Sequence, residues 1–236
     1  MAHFIIVAAS SGIGQATQKL LTAQGHRVFT TARDDRKITP DAVLNAADFA
    51  QTESVFSQAR ADMGHIDGVI NCAGSLLLKP AHLTSAADYQ AVIEASLTTA
   101  FSVVRAAAKT MPAGGSVTLV SSAAALEGLA NHEAIAAAKA GIVGLTLSAA
   151  ASYAGAKLRV NAVAPGLTQT PLTQQITGND MSRKFSEAMH ALGRLGTPED
   201  VARAIVFLAD PQNDWITGQV LAVDGGLSCI RPKLKA

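Results

Sequence analysis

His3-Phe4-Ile5-Ile6-Val7-Ala8-Ala9-Ser10-Ser11-Gly12-Ile13-Gly14 stands almost at the start of the sequence and decides its class. From Phe4 to Ala9 the run is apolar without interruption, as in a strand covered on both faces. Two serines and a glycine then break it, and a helical pattern follows over Gly14–Gln24. Strand, tight turn and helix in immediate succession form the first half of a βαβ unit.

Outward from that unit the alternation repeats. The pattern predicts strands over His3–Ala8, Arg27–Thr31, Val43–Ala47, Gly68–Asn71, Ser116–Ser121, Leu158–Ala162 and Gln219–Val223. Helices are predicted over Gly14–Gln24, Thr52–Met63, Ala87–Lys109, Glu133–Tyr153, Met181–Leu192 and Pro198–Leu208. Repeated βαβ units with right-handed crossovers make a doubly wound α/β fold, a seven-stranded parallel sheet with helices on both faces. Ligands of such sheets sit outside the carboxyl ends of the strands, where strand order reverses.

Composition agrees. The 236 residues suit one domain spanning 1–236, and 49% hydrophobic against 16% charged residues supplies a full core. A net charge of +1 with no basic block argues against a nucleic-acid partner. The tail Arg231-Pro232-Lys233-Leu234-Lys235 reads as a solvated end. Cys72 and Cys229 are far apart, which predicts neither a disulfide nor a metal site. The chain enters a strand at once, so no signal peptide is expected and the expected location is cytoplasmic. Ala134–Ala151 is nearly all apolar, yet Lys139 lies inside it. It reads as a helix buried on two sides, with no membrane partner.

A turn rich in glycine between strand and helix lets backbone N–H groups approach a pyrophosphate, and the helix N-terminus favours negative charge there. Further along, Asn71-Cys72-Ala73-Gly74 follows the fourth strand, Asn161 and Pro165-Gly166 lie in and after the sixth, and Asp224-Gly225-Gly226 follows the seventh. With Ser10-Ser11-Gly12-Ile13-Gly14, these motifs resemble, in order and over essentially the whole chain, those of the short-chain dehydrogenase/reductase family.

The resemblance implies a Rossmann domain that binds a nicotinamide dinucleotide and a small-molecule substrate. The family's Thr-Gly is replaced here by Val7-Ala8, while both later glycines remain. At the end of strand two, where an acid would bind the ribose hydroxyls of NAD, the sequence reads Thr31-Ala32-Arg33. Arg33 can fork onto a 2′-phosphate, so NADP(H) is expected over NAD(H). The resemblance also implies cofactor contacts at Ser10, Ser11, Gly12, Ile13 and Gly14. Further contacts are implied at Asp48 and Phe49 after strand three, Asn71, Ala73, Gly74, Lys139, Pro165, Gly166, Thr168 and Thr170.

Family members reduce a carbonyl with a serine, a tyrosine, a lysine four residues after it, and an asparagine on an earlier helix. Here Lys139 matches the lysine and Ser122 the serine, but the tyrosine position is Ile135 and the asparagine position is Ser96. Tyr153 lies fourteen residues past Lys139, roughly 21 Å along a helix, and Tyr89 lies seven residues before Ser96. Neither replaces the missing group. His132, seven residues before Lys139, would share a helix face with it. Enoyl reductases of the same superfamily look similar in placing their tyrosine seven residues before the lysine. Imidazole moves protons well near neutrality, while the competing reading leaves His132 as a solvated helix start with Glu133 in the first turn.

The expected function is an NADP(H)-dependent oxidoreductase whose proton comes from His132, a water or the substrate. The alternative is a non-catalytic NADP(H)-binding sensor or structural subunit, and a lyase reaction in the same cleft is a third reading. Residues 171–196 are expected to form the substrate lid, with Thr170, Thr173, Gln174, Gln175, Met181, Phe185, Met189 and Leu192 in or beside it. The small-residue faces of Ala134–Ala151 and Ala95–Ala108, with Trp215-Ile216-Thr217-Gly218-Gln219-Val220, lead to an expected homotetramer, or else a dimer.

Overall fold

A computed structural model describes residues 1–231; the expectation for Pro232-Lys233-Leu234-Lys235 lies outside the described residues. Seven parallel strands form one sheet: β1 (His3–Val7), β2 (Arg27–Ala32), β3 (Ala42–Val43), β4 (Gly68–Asn71), β5 (Gly115–Val120), β6 (Leu158–Pro165) and β7 (Val220–Val223). Their order is β3-β2-β1-β4-β5-β6-β7, which is the doubly wound arrangement. The helices are α1 (Gly12–Ala23), α2 (Phe49–Met63), α3 (Ala86–Ile93), α4 (Thr99–Thr110), α5 (Glu133–Tyr153), α6 (Gln174–Thr177), α7 (Asp180–Met189) and α8 (Pro198–Ala209).

The alternation of side chains along a strand builds two cores from the same residues. Ile5 and Val7 of β1 enter a cluster with Val69, Val117 and Val160, covered by α2, α4 and α5. Phe4 and Ile6 enter a second with Ile70 and Val163, covered by Leu21 of α1 and by Val201, Ile205 and Leu208 of α8. Continuous apolar strands are therefore required, because both faces are dry. The stretches Ala86–Thr110 and Glu133–Ala156 are long and apolar enough to cross a membrane, but about half of each apolar window is buried within the fold. Exposed apolar residues remain on them, Phe101 and Leu147 among them.

Strand β6 runs on to Pro165 and α7 stops at Met189, against predicted ends at Ala162 and Leu192, and three further departures shape the site. Strand β3 stops at Val43, because Asn45 N donates to the Gln51 side chain and Ala47 N to Asn45 Oδ1, which turns the chain out of the sheet. Helix α2 starts at Phe49, three residues earlier than predicted, since the Asp48 carboxylate caps it by accepting from Gln51 N. The long helix predicted over Ala87–Lys109 is interrupted by a π-helical turn, Glu94–Thr98. Such turns commonly mark functional positions in helices.

Arg159 on β6 is buried, and its guanidinium donates to the carbonyls of Leu208 and Asp210 at the end of α8 and of Ile216 in the next loop. A cation at a helix C-terminus is favourable, and this one fastens α8 to the sheet. Arg159→Met is expected to lower unfolding stability by about 3 kcal/mol in urea titration, because three carbonyls lose their donor inside the protein. A loss under about 0.5 kcal/mol, the level of an ordinary surface change, would contradict this role.

Candidate active site

Above the carboxyl ends of the strands lies a cleft of about 1160 Å³, lined from Val7 of β1 to Leu227 past β7. Its middle sits where β1 and β4 part, since β1 pairs with β2 on one side and β4 on the other. This is the switch point expected of a doubly wound sheet.

The turn after β1 builds one end. Ser10, Ser11, Gly12 and Ile13 line the cleft, and Ser11 Oγ caps α1 by accepting from Gly14 N. Gly14 does not reach the cleft; its place is structural, since a Cβ there would stand 2.6 Å from Ala8 O and 2.9 Å from Ala9 Cα. Gly12 packs on the far loop, where a Cβ would stand only 3.1 Å from Thr170 Cγ2. Ala8, the residue in place of a glycine, adopts φ 58°, the left-handed region that costs an L-residue roughly 1–2 kcal/mol.

At the end of β2, Arg33 and Lys37 both line the cleft. Among the described residues neither is ion-paired, while Arg36 between them is bound to Asp34. The Arg36 contact holds Asp34 down to about 2, so that carboxylate is already engaged. Lys37 was not picked out from the sequence, because three residues of irregular loop separate it from Arg33 and no periodicity places it. Leu44, Asn45, Ala46 and Ala47, predicted as strand, form the adjoining wall. Asp48 and Phe49 do not line it: Asp48 spends its carboxylate on the α2 cap, and Phe49 stacks on Phe101. Asn71 is likewise behind the wall, its Oδ1 accepting from Ala73 N, whereas Ala73 and Gly74 line the cleft.

The other end holds Ser122, His132, Ile135, Lys139, Pro165, Gly166, Thr168 and Thr170, all on the cleft wall. Lys139 is buried, at 6% exposure, and its ammonium donates to Val120 O at 2.8 Å. Burial pulls its pKa down to about 8. Cys72 stands near it, and burial pushes that thiol up to about 12, keeping it protonated. A Cβ on Gly74 would lie 3.1 Å from Lys139 Nζ and 3.9 Å from Ser96 Oγ, so both atoms face one small space. Ser96 sits in the π-turn, fully buried, and its Oγ has no hydrogen-bond partner. A buried unpaired hydroxyl is costly unless a water or ligand satisfies it.

Ile135 packs with Val92, Ala134 and Ala138. Ser122 Oγ accepts from Ala124 N. His132 is the N-cap residue of α5 and is not helical itself. Its seven-residue spacing from Lys139 therefore does not by itself put the two on one helix face, although both border the cleft. With Nδ1 assigned as donor to Ala130 O, the neutral ring has no proton left on Nε2.

The lid region closes the cleft with Leu172, Thr173, Ile176, Phe185 and Met189, while Met181 and Leu192 are solvent-exposed. His190, missed in the sequence, lies buried at the end of α7. Its Nε2 accepts from Leu167 N and its Nδ1 donates to Ser186 O, which ties the lid to the turn after β6. Asp224 anchors the last turn: burial raises its pKa, but hydrogen bonds from Ser228 and Gly226 outweigh that and leave it lowered.

Comparisons with known proteins agree in extent. The model of a family described as Enoyl-(Acyl carrier protein) reductase matches residues 7–228. The chain is 35% identical to a 3-oxoacyl-[acyl-carrier-protein] reductase of Thermotoga maritima, over 94% of this chain and 96% of that protein. It is 36% identical to a cis-4-hydroxycyclohexanecarboxylate dehydrogenase of Sinomonas cyclohexanicum, over 96% of each. Among solved structures, a short-chain type dehydrogenase/reductase from Mycobacterium ulcerans superposes with TM-score 0.92 at 26% identity, covering 98% of this chain and 91% of that one. ElxO with NADP bound superposes with TM-score 0.89 at 27% identity, covering 96% and 98%.

Ala8→Gly is expected to stabilise the protein by about 0.5–1 kcal/mol in urea titration, the left-handed strain removed less the extra entropy of a glycine in the unfolded chain. Destabilisation by the change would show that the Ala8 methyl group supports the loop more than its backbone strain costs.

Proposed function

The chain belongs to the short-chain dehydrogenase/reductase family and is an oxidoreductase of that type; from that premise we propose that it uses NADP(H) on a small-molecule substrate and takes its proton from a water held by Lys139 and Ser96. The observation that carries the cofactor choice is the pair Arg33 and Lys37, which line the cleft wall after Ala32 and have no ion-pair partner among the described residues. The residues fit such a group: Ser10, Ser11, Gly12 and Ile13 line the cleft at the N-terminus of α1, where an anion is favoured, and Arg33 and Lys37 line it beside them. ElxO, whose solved structure holds NADP, supports the same choice.

Arg33 and Lys37 would hold the 2′-phosphate, Ser10 to Ile13 the pyrophosphate, and Thr168 and Thr170 the carboxamide. When bound, the dinucleotide supplies or accepts a hydride. Lys139, whose ammonium faces the space beside Gly74, would hold the ribose hydroxyls. Ser122 Oγ donates to the substrate oxygen and polarises it. Hydride addition to a carbonyl leaves an alkoxide that must be protonated, and Ile135 has no proton to give. The unpaired Ser96 Oγ and the Lys139 ammonium support a water between them as the relay. His132 is the second candidate, and it can donate from Nε2 only as an imidazolium. The non-catalytic alternative rests on Ile135 alone, and the matched relatives are named as reductases and dehydrogenases. The exposed Phe101 and Leu147 and the almost fully exposed Trp215 support a homotetramer.

The test is NADPH oxidation by the purified protein across ketone, imine and enone substrates. Turnover is expected on at least one class, with Ser122→Ala lowering kcat/KM by roughly 10²-fold or more and Ile135→Tyr raising ketone reduction. No turnover on any class, in the wild type and in Ile135→Tyr alike, would sink the proposal in favour of a binding module. The pH profile follows from Lys139: its ammonium is the working form, so kcat/KM for reduction should fall as pH rises through about 8. A profile flat from pH 7 to beyond 9 would remove Lys139 from the proton path.

A further inference from the structure

At the opposite edge of the sheet, the first residue of β1 meets the loop that leads into β4. His3, His65 and Asp67 each bring a ligand-type atom, one imidazole nitrogen apiece and a carboxylate oxygen, and these lie within 4.8 Å of one another. The His65 Nε2 to Asp67 Oδ2 separation is 3.1 Å, already close to the ~3.3 Å between donors on one tetrahedral zinc ion. The two imidazoles lie with ring centroids 4.2 Å apart.

Two further facts set this group apart from a chance surface cluster. His3 is only 7% exposed, and its Nδ1 is buried with no hydrogen-bond partner. A buried imidazole nitrogen without a partner calls for an explanation. The backbone also fixes the geometry: Asp67 Oδ2 accepts from His3 N at 2.7 Å, while Asp67 N donates to His3 O at 2.8 Å. The carboxylate is thus oriented by the chain it would help to clamp, as ligating carboxylates are. His65, with a side chain 60% exposed, leaves an entry path and room for a water as fourth ligand.

We propose that His3, His65 and Asp67 form a binding site for a divalent transition metal ion, Zn²⁺ or Co²⁺, that braces β1 to β4 at the amino edge of the sheet. Two imidazoles and one carboxylate suit borderline cations of this class and not Mg²⁺ or Ca²⁺, which take oxygen ligands. The site lies outside the cleft and takes no part in hydride transfer. The sequence expectation of no metal site considered the cysteines; His65 and Asp67 stand 62 and 64 positions after His3, and only the pairing of β1 with β4 unites them.

The test uses the full chain, freed of metal with a chelator and dialysed. Titration with Co²⁺ should give visible absorption bands of a four-coordinate N/O site at one ion per chain, and Zn²⁺ should compete them away. Saturating Zn²⁺ should raise Tm by roughly 5 °C, whereas Mg²⁺ should not. His65→Ala, at an exposed position chosen to leave folding intact, should abolish both signals, as should Asp67→Asn. Absence of Co²⁺ bands and of a Zn²⁺-dependent Tm shift in the wild type would overturn the proposal. Undiminished binding in His65→Ala would also overturn it, because the ion would then sit elsewhere.

Discussion

The whole arrangement depends on the parting of β1 and β4. Both are parallel and adjacent, yet the chain leaving β1 turns into α1 on one face, while the chain leaving β4 returns through α4 on the other. No segment can cover the strand ends between them, so a cleft is a consequence of the winding itself. The same pairing fixes what surrounds it. The Gly12–Gly14 turn lies at one end because β1 ends there, and Ser122 and Lys139 lie at the other because β5 ends there and α5 packs beside it. Even the amino edge follows, since β1 and β4 pairing is what brings His3 beside Asp67.

Within the cleft, one buried ammonium joins several of these parts. Lys139 comes from α5, reaches the carbonyl that ends β5, and faces Gly74 after β4 and Ser96 in the π-turn. Burying a cation this deeply lowers its pKa and costs free energy unless polar groups compensate. One carbonyl is not full compensation, and a lone hydroxyl without a partner stands next to it. Two polar groups left short in one place suit a site that completes itself with water and ligand. Strain at Ala8 has the same character, since active sites are where backbone outliers collect.

Much of this was legible in the sequence. Continuous apolar strands, helical periods and the turn after β1 predicted the parallel sheet, and the resemblance to the family's motifs pointed to Ser122 and Lys139, both of which line the cleft. What was not legible depended on local hydrogen bonds. A carboxylate at position 48 looks the same in sequence whether it faces a ligand or caps a helix, and the cap at Gln51 decides it. Residues 44–47 are as apolar as a strand, but backbone N–H groups of Asn45 and Ala47 donate to the Gln51 and Asn45 side chains and bend the segment into the cleft wall. Lys37 and His190 lie in or beside irregular loops, where no period points to a face. The π-turn at Ser96 leaves no composition signal at all.

On this reading the cofactor half of the cleft is built for a 2′-phosphate while its proton half is altered. Titration of the purified protein with NADPH and NADH, followed by nicotinamide fluorescence or calorimetry, tests the first of these most directly. NADPH is expected to bind about tenfold or more tightly than NADH, a difference of ~1.4 kcal/mol or more from charge-assisted contacts, and the double variant Arg33→Ala, Lys37→Ala should bind the two alike. Equal affinity in the wild type, or a preference that survives the double variant, would contradict it.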